Sequence, residues 1–160
     1  MRDKAKSAVA LLIALVVCYG AAALGGLFAA ESTGDWYAGL AKPSWTPPSW
    51  LFGPVWTILY GMMAVAVWLI YLQRRRRPIA ASIVLFAVQL TFNAAWSPLF
   101  FGLHRSGIAF ADIVLLWLAL AVTVGLFVRR HVVAGLLLVP YLLWVSFAAA
   151  LNLAIWRLNT

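Results

Sequence analysis

The chain alternates long apolar stretches with short knots of charge, and that alternation leaves it few folds to adopt. Charges gather at the N-terminus (Arg2, Asp3, Lys4, Lys6), in the arginine run 74–77, at 129–131 and at single points such as Lys42, Arg105 and Arg157. Between them lie apolar segments at about 7–30, 50–73, 78–103, 108–128 and 132–156. Each is long enough for a hydrocarbon core that takes about 20 helical residues. Only 10% of the 160 residues are charged, against roughly 25% in a soluble domain. In lipid every backbone polar group must be paired internally, and no period-two pattern suggests strands. The expectation is an all-α membrane protein: one domain over residues 1–160, a five-transmembrane-helix bundle with a long ordered first loop. The first segment exceeds the apolar core of a signal peptide and lacks a small-residue cleavage site before a polar region, so it reads as a retained helix.

An odd number of spans puts the termini on opposite sides. Nine Lys and Arg residues fall on the side of the N-terminus, the second loop and the fourth loop, and three on the other. That bias places the N-terminus in the cytoplasm and the C-terminus outside, in a bacterial cell membrane. The net charge of +8 belongs to these clusters. No continuous basic face offers itself to nucleic acid, which is excluded as a partner. The arginine run is first a topology anchor, with acidic-lipid binding a secondary role. Cys18 is the single cysteine, so neither an internal disulfide nor a cysteine metal site is available. His104 and His131 fall on opposite sides and cannot share a metal. Asp3, Glu31, Asp35 and Asp112 form no acid/base pair. No metal, no cofactor and no hydrolytic site is expected.

The longest loop, 31–49, opens with the helix-start types Ser32, Thr33 and Asp35 before Trp36 and Tyr37, which predicts a short helical turn. It continues as KPSWTPPSWLFGPVWTILY at 42–60. Pro47 and Pro48 hold that stretch extended, and beyond it Trp56 and Tyr60 share one helix face. A stiff aromatic loop running into an aromatic helix face has the form of the rim and wall of a hydrophobic pocket. Trp45 and Trp50 read equally well as an interfacial belt. Pro78 is placed in the first turn of the third span. In that span Gln89, Asn93, Trp96 and Phe100 form one face. Asn93 is either a tie between helices or a donor to a ligand carbonyl, and Gln89 reads as structural. In the fifth span Trp144 shares a face with Tyr141, Ala148 and Asn152. Asp112 reads as a structural acid satisfied by Arg105 or a backbone donor. Gly20, Gly25 and Gly26, among alanines, suit close approach of the first helix to another helix of the chain.

The motifs DWY (35–37), KPSWTPP (42–48), PVWTILYG (54–61), QLTFNAAWSPLFFG (89–102) and PYLLWVSFAAALN (140–152) together resemble the TspO/MBR family of tryptophan-rich sensory and translocator proteins, in the family's order and over nearly the whole chain. The resemblance implies five transmembrane helices, a homodimer, and a pocket roofed by the first loop that receives porphyrins, sterols or synthetic benzodiazepine-type ligands. It implies an integral membrane receptor or binding protein for porphyrins and related hydrophobic ligands, with a stress-sensing or regulatory role. The alternatives are a light-dependent porphyrin-degrading enzyme and a carrier of tetrapyrroles or lipids. Whether the protein is an enzyme stays open; any such chemistry would fall to Trp56 and Trp144, which match the family's pocket tryptophans. Ligand contacts are expected from Trp36, Tyr37, Pro47, Pro48, Trp56, Tyr60, Asn93 and Trp144. One departure stands out: Leu153 follows Leu151 and Asn152 where the family's sterol pattern has tyrosine. A formal match to that pattern, LIYLQR, lies instead at 69–74.

Overall fold

The structure, a computed structural model, describes residues 2–32 and 36–160. Five of its helices are long and apolar enough to cross a membrane. They are α1 (Arg2–Ser32), α3 (Phe52–Leu72), α4 (Ala80–Ser97), α5 (Ser106–Arg130) and α6 (Val132–Leu158), with a short α2 (Trp36–Gly39) in the first loop. The helical turn expected at Trp36 is present, whereas Thr33, Gly34 and Asp35 lie outside the described residues.

The spans form a ring rather than a row. Helix α1 packs on α3 and α4, α3 on α6, α6 on α5, and α5 on α4, while α3 and α4 barely meet. The ring surrounds a core of Tyr60, Met63, Phe86, Leu116, Tyr141 and Val145, all buried. A second, smaller cluster of Phe100, Ala109, Leu151 and Ile155 sits beneath the first loop. Outward faces are apolar, with Val16, Leu27, Leu118 and Leu143 exposed, as lipid-facing surfaces should be.

Three details depart from the sequence reading. Pro78 does not occupy the first turn of its span: α4 begins at Ala80, and Pro78 uses its carbonyl to accept from the Arg130 guanidinium across the loops. Together with the Arg77 bond to the Arg129 carbonyl, that contact spends the loop's hydrogen bonding on a neighbour instead of on a helix start. The third span ends in a π-helical turn, Pro98–Gly102, where the Leu103 amide reaches the Pro98 carbonyl at 2.9 Å. Pro98 has no amide hydrogen to continue the α-helical ladder, so the wider turn takes over. Asp112 finds neither Arg105 nor a backbone donor at its buried Oδ2.

Close helix approach rests on particular glycines. A Cβ on Gly25 would stand 3.1 Å from Ser97 Oγ, and one on Gly61 would stand 3.0 Å from the Tyr19 hydroxyl. Gly20 and Gly26 face open space. The tightest point joins α5 to α6, where a Cβ on Gly135 would meet the backbone nitrogen of Val128 at 2.6 Å.

Candidate functional site

The ring closes on one side of its core but stays open under the first loop, leaving a cavity of about 740 Å³. Four spans wall it. Helix α3 contributes Phe52, Trp56 and Tyr60, α4 contributes Asn93, Trp96 and Ser97, and α6 contributes Trp144, Val145 and Ala148. The α1 wall is made of small residues, Ala22, Gly25, Gly26 and Ala29. Because these carry little side chain, the volume that a larger residue would fill is left to the cavity.

The aromatic side chains hold one another in fixed geometry. Trp56 lies 5.5 Å from Tyr60 and 6.0 Å edge-on from Tyr141, while Trp144 meets Phe52 edge-on at 5.7 Å and Phe147 at 5.5 Å. At the floor, the Tyr60 hydroxyl donates to Asn93 Oδ1, and Asn93 Nδ2 donates to the Tyr141 hydroxyl at 2.9 Å. Asn93 is therefore a tie joining α3, α4 and α6, the first of the two roles open to it. A parallel tie lies nearer the first loop. Trp96 Nε1 donates to Asn152 Oδ1 at 3.0 Å, and Asn152 Nδ2 donates to the Ser106 carbonyl at 2.9 Å. The buried indole nitrogen of Trp144 has no hydrogen-bond partner, although buried donors are normally paired. Gln89 is fully buried with both ends of its carboxamide unpartnered.

The lid is fastened at several points. Trp36 stacks on His104 with centroids 4.1 Å apart and meets Phe100 edge-on at 5.6 Å. His104 holds a left-handed backbone at φ 54°, a conformation that histidine tolerates better than most residues. Lys42 folds back, donating to the Ala38 and Leu40 carbonyls and placing its ammonium 4.7 Å from the centre of the Tyr37 ring. Burial pushes the Tyr37 hydroxyl above its usual pKa, so the ring stays neutral. Trp45 meets Phe147 edge-on at 5.7 Å. At the far end of the chain, Asn159 Nδ2 donates to the Ala41 carbonyl at 2.9 Å while its Oδ1 accepts from the Ala41 amide at 3.0 Å.

Of the residues expected at the ligand, Tyr37, Trp56, Tyr60, Asn93 and Trp144 line the cavity. Trp36, Pro47 and Pro48 stand outside the lining: Trp36 braces the lid from behind, and the two prolines lead the chain to Ser49 and Trp50, which do reach the rim. Trp50 is 70% exposed and Trp45 48% exposed, so each lid ring also presents surface to its surroundings. Sequence reasoning missed Phe52, Phe101, the α1 wall and Asn159. The glycine–alanine cluster of α1 was the available signal for the wall; nothing in the local sequence marks Asn159.

These features define a five-span integral membrane protein with a lidded, aromatic cavity. The chain belongs to the TspO/MBR family, whose model matches residues 12–157. It is 41% identical to the tryptophan-rich protein TspO of Chlorobaculum tepidum, over 96% of this chain and 98% of that one. It is 41% identical to protein CrtK of Rhodobacter capsulatus, over 90% of this chain and 89% of the relative. With the human translocator protein it shares 40% identity, over 78% of this chain and 75% of the human one.

Proposed function

We propose that the protein is a membrane receptor for porphyrins and similar flat hydrophobic ligands, taken up in the lidded cavity. The observation that carries this reading is the cavity itself, about 740 Å³ of largely aromatic space walled by Phe52, Trp56, Tyr60, Trp96 and Trp144. That volume lies within the range of small-molecule sites, roughly 300–1,000 Å³. A planar conjugated ring gains from the Trp56, Tyr60 and Trp144 rings. The Lys42 ammonium over Tyr37 puts a cation beside the lining, where a carboxylate edge of the ligand is favoured. The names of relatives, a tryptophan-rich sensory protein and a translocator protein, speak of sensing and translocation in those proteins.

The test is the visible spectrum of the protein with protoporphyrin, dark and illuminated. A saturable shift of the porphyrin band in the dark is expected; its absence overturns the reading. Loss of the band only under light would instead favour degradation, with Trp56, in ring contact with Tyr60 and Tyr141, as the electron partner. Release of porphyrin across a liposome wall would favour a carrier.

The reading includes a cytoplasmic N-terminus, from the charge bias, and a homodimer, from the family resemblance. A reporter fused after Thr160 should be active only outside the cytoplasm, and one inserted in the arginine run only within it. The opposite pattern reverses the orientation and the side on which the lid opens.

A further inference from the structure

A second concavity lies apart from the lidded cavity. A groove of about 890 Å³ runs along the lipid-facing side of α1, α3 and α4. It extends along α1 from Ala5 to Ala21, roughly 24 Å at 1.5 Å per residue, most of a hydrocarbon core about 30 Å thick. Its walls are apolar, including Val9, Ile13, Val67, Phe86 and Leu90. Its one charged lining residue, Lys6, sits at one end. Trp68 fixes that end by donating from Nε1 to the Ser7 carbonyl at 3.0 Å, which brings α1 and α3 into register there. One turn further along α3, Tyr71 also lines the groove, and the Arg74 guanidinium lies 3.9 Å from the centre of its ring. One of the five guanidinium donors is spent on the Tyr71 carbonyl.

We propose that this groove is a binding site for an acidic phospholipid, with an acyl chain along the apolar walls and the phosphate beside Lys6 and the Arg74–Tyr71 stack. A concavity of this size in contact with the bilayer does not stay empty, because an unfilled wall forfeits its dispersion contacts. What fills it is decided by its ends. The cations stand at one end only, which matches an amphiphile with one anionic head. A second copy of the chain is a poorer occupant. A two-fold contact sets the same patch against itself, and two concave patches face to face leave a shared void that still needs lipid.

The experiment is native mass analysis of the protein released from lipid discs of equimolar phosphatidylcholine and phosphatidylglycerol. Retained phosphatidylglycerol should exceed phosphatidylcholine by roughly tenfold, the preference two nearby cations support. Lys6→Gln with Arg74→Gln should bring the two lipids close to parity. Ala87→Phe, which fills the groove from α4, should reduce both; Ala14→Leu does the same from α1 should the first variant fail to fold. Folding is checked by circular dichroism. Equal retention in the wild type overturns the proposal. So does a preference that survives the double variant, or lipid counts untouched by both filling variants. A two-chain mass without lipid assigns the groove to a second copy, and retention of an added sterol in place of the anionic lipid assigns it to a neutral amphiphile; either result also overturns it. No outcome depends on what the lidded cavity binds.

Discussion

The lidded cavity and the lipid-side groove are of similar size, about 740 and 890 Å³, and both are largely apolar, yet they are built on opposite plans. The cavity has its polar groups at the floor, where the Asn93 carboxamide joins the Tyr60 and Tyr141 hydroxyls. Its rings hold one another in edge-on and tilted contacts, so its shape is set by the protein itself. The groove has aliphatic walls and a charge only at its end. A site of the first kind selects by shape and by the placement of hydrogen bonds. A site of the second kind selects by head-group charge and tolerates variation along the chain. Helix α4 serves both, presenting Asn93, Trp96 and Ser97 to the cavity, and Ile83, Ala87 and Thr91 to the groove.

The contrast is tested most strongly by removing a large ring from one region and then from the other. Trp144→Ala and Trp56→Ala should each weaken protoporphyrin binding by about tenfold to a hundredfold, the roughly 1–3 kcal/mol carried by one aromatic wall. Trp68→Ala removes an equally large ring from the groove and should leave protoporphyrin affinity within about threefold. Titration of absorbance in discs measures all three. Equal affinities across the three variants and wild type would remove the assignment of porphyrin to the cavity. Where light degrades the porphyrin, Trp56→Phe and Trp144→Phe should lose that chemistry while retaining more of the binding.

This difference in construction also governs what could be read before folding. The five spans were legible because lipid imposes length and apolarity on every one of them, and only boundaries moved, as at Pro78. Trp56, Tyr60 and Trp144 were legible because aromatics at helical spacing must share a face. Trp36 and the prolines were harder to place: their stiffness is local, but which side of the lid meets the cavity depends on where His104 and Phe100 stand. The groove was illegible for a different reason. It is defined by what small side chains such as Ala10, Ala14 and Ala87 fail to fill, and a void between three helices has no motif. Asn159 lies 118 residues from its partner Ala41, beyond any local pattern.

A smaller effect is expected from the polar ties. Asn93→Leu leaves the buried Tyr60 and Tyr141 hydroxyls without the carboxamide that joins them. An unpaired buried polar group costs about 1–3 kcal/mol, so the midpoint of thermal unfolding in discs should fall by several degrees. Thr91→Val is the counterpart in the groove. The Thr91 hydroxyl bonds only back to the Ala87 carbonyl of its own helix, and the midpoint should move little, within about 0.5 kcal/mol of wild type. An unchanged midpoint in Asn93→Leu would mean that the carboxamide does not hold the floor of the cavity together.

The smallest effect belongs to the clasp on the lid. Asn159 grips both backbone groups of Ala41 and anchors its own Nδ2 to the Ile155 carbonyl at 2.7 Å, the last turn of α6. Its bonds to Ala41 are exposed, so water competes for each of them and their net contribution is near the low end of about 0.5–1.5 kcal/mol. Asn159→Ala should therefore leave the unfolding midpoint of the bundle nearly unchanged, because the spans are held by packing far from this point. What should change is the mobility of the lid. Hydrogen exchange at the Ala41 amide should speed up, and protoporphyrin should leave and enter faster, each by roughly twofold to tenfold, with the equilibrium affinity almost constant. Groove occupancy by lipid should not respond, since nothing in that region touches the lid. Unaltered exchange at Ala41 would show that the stack of Trp36 on His104 and the Lys42 bonds hold the lid without the C-terminal residue. An altered lipid count would show that the two regions are coupled through the helices α1, α3 and α4 that line both.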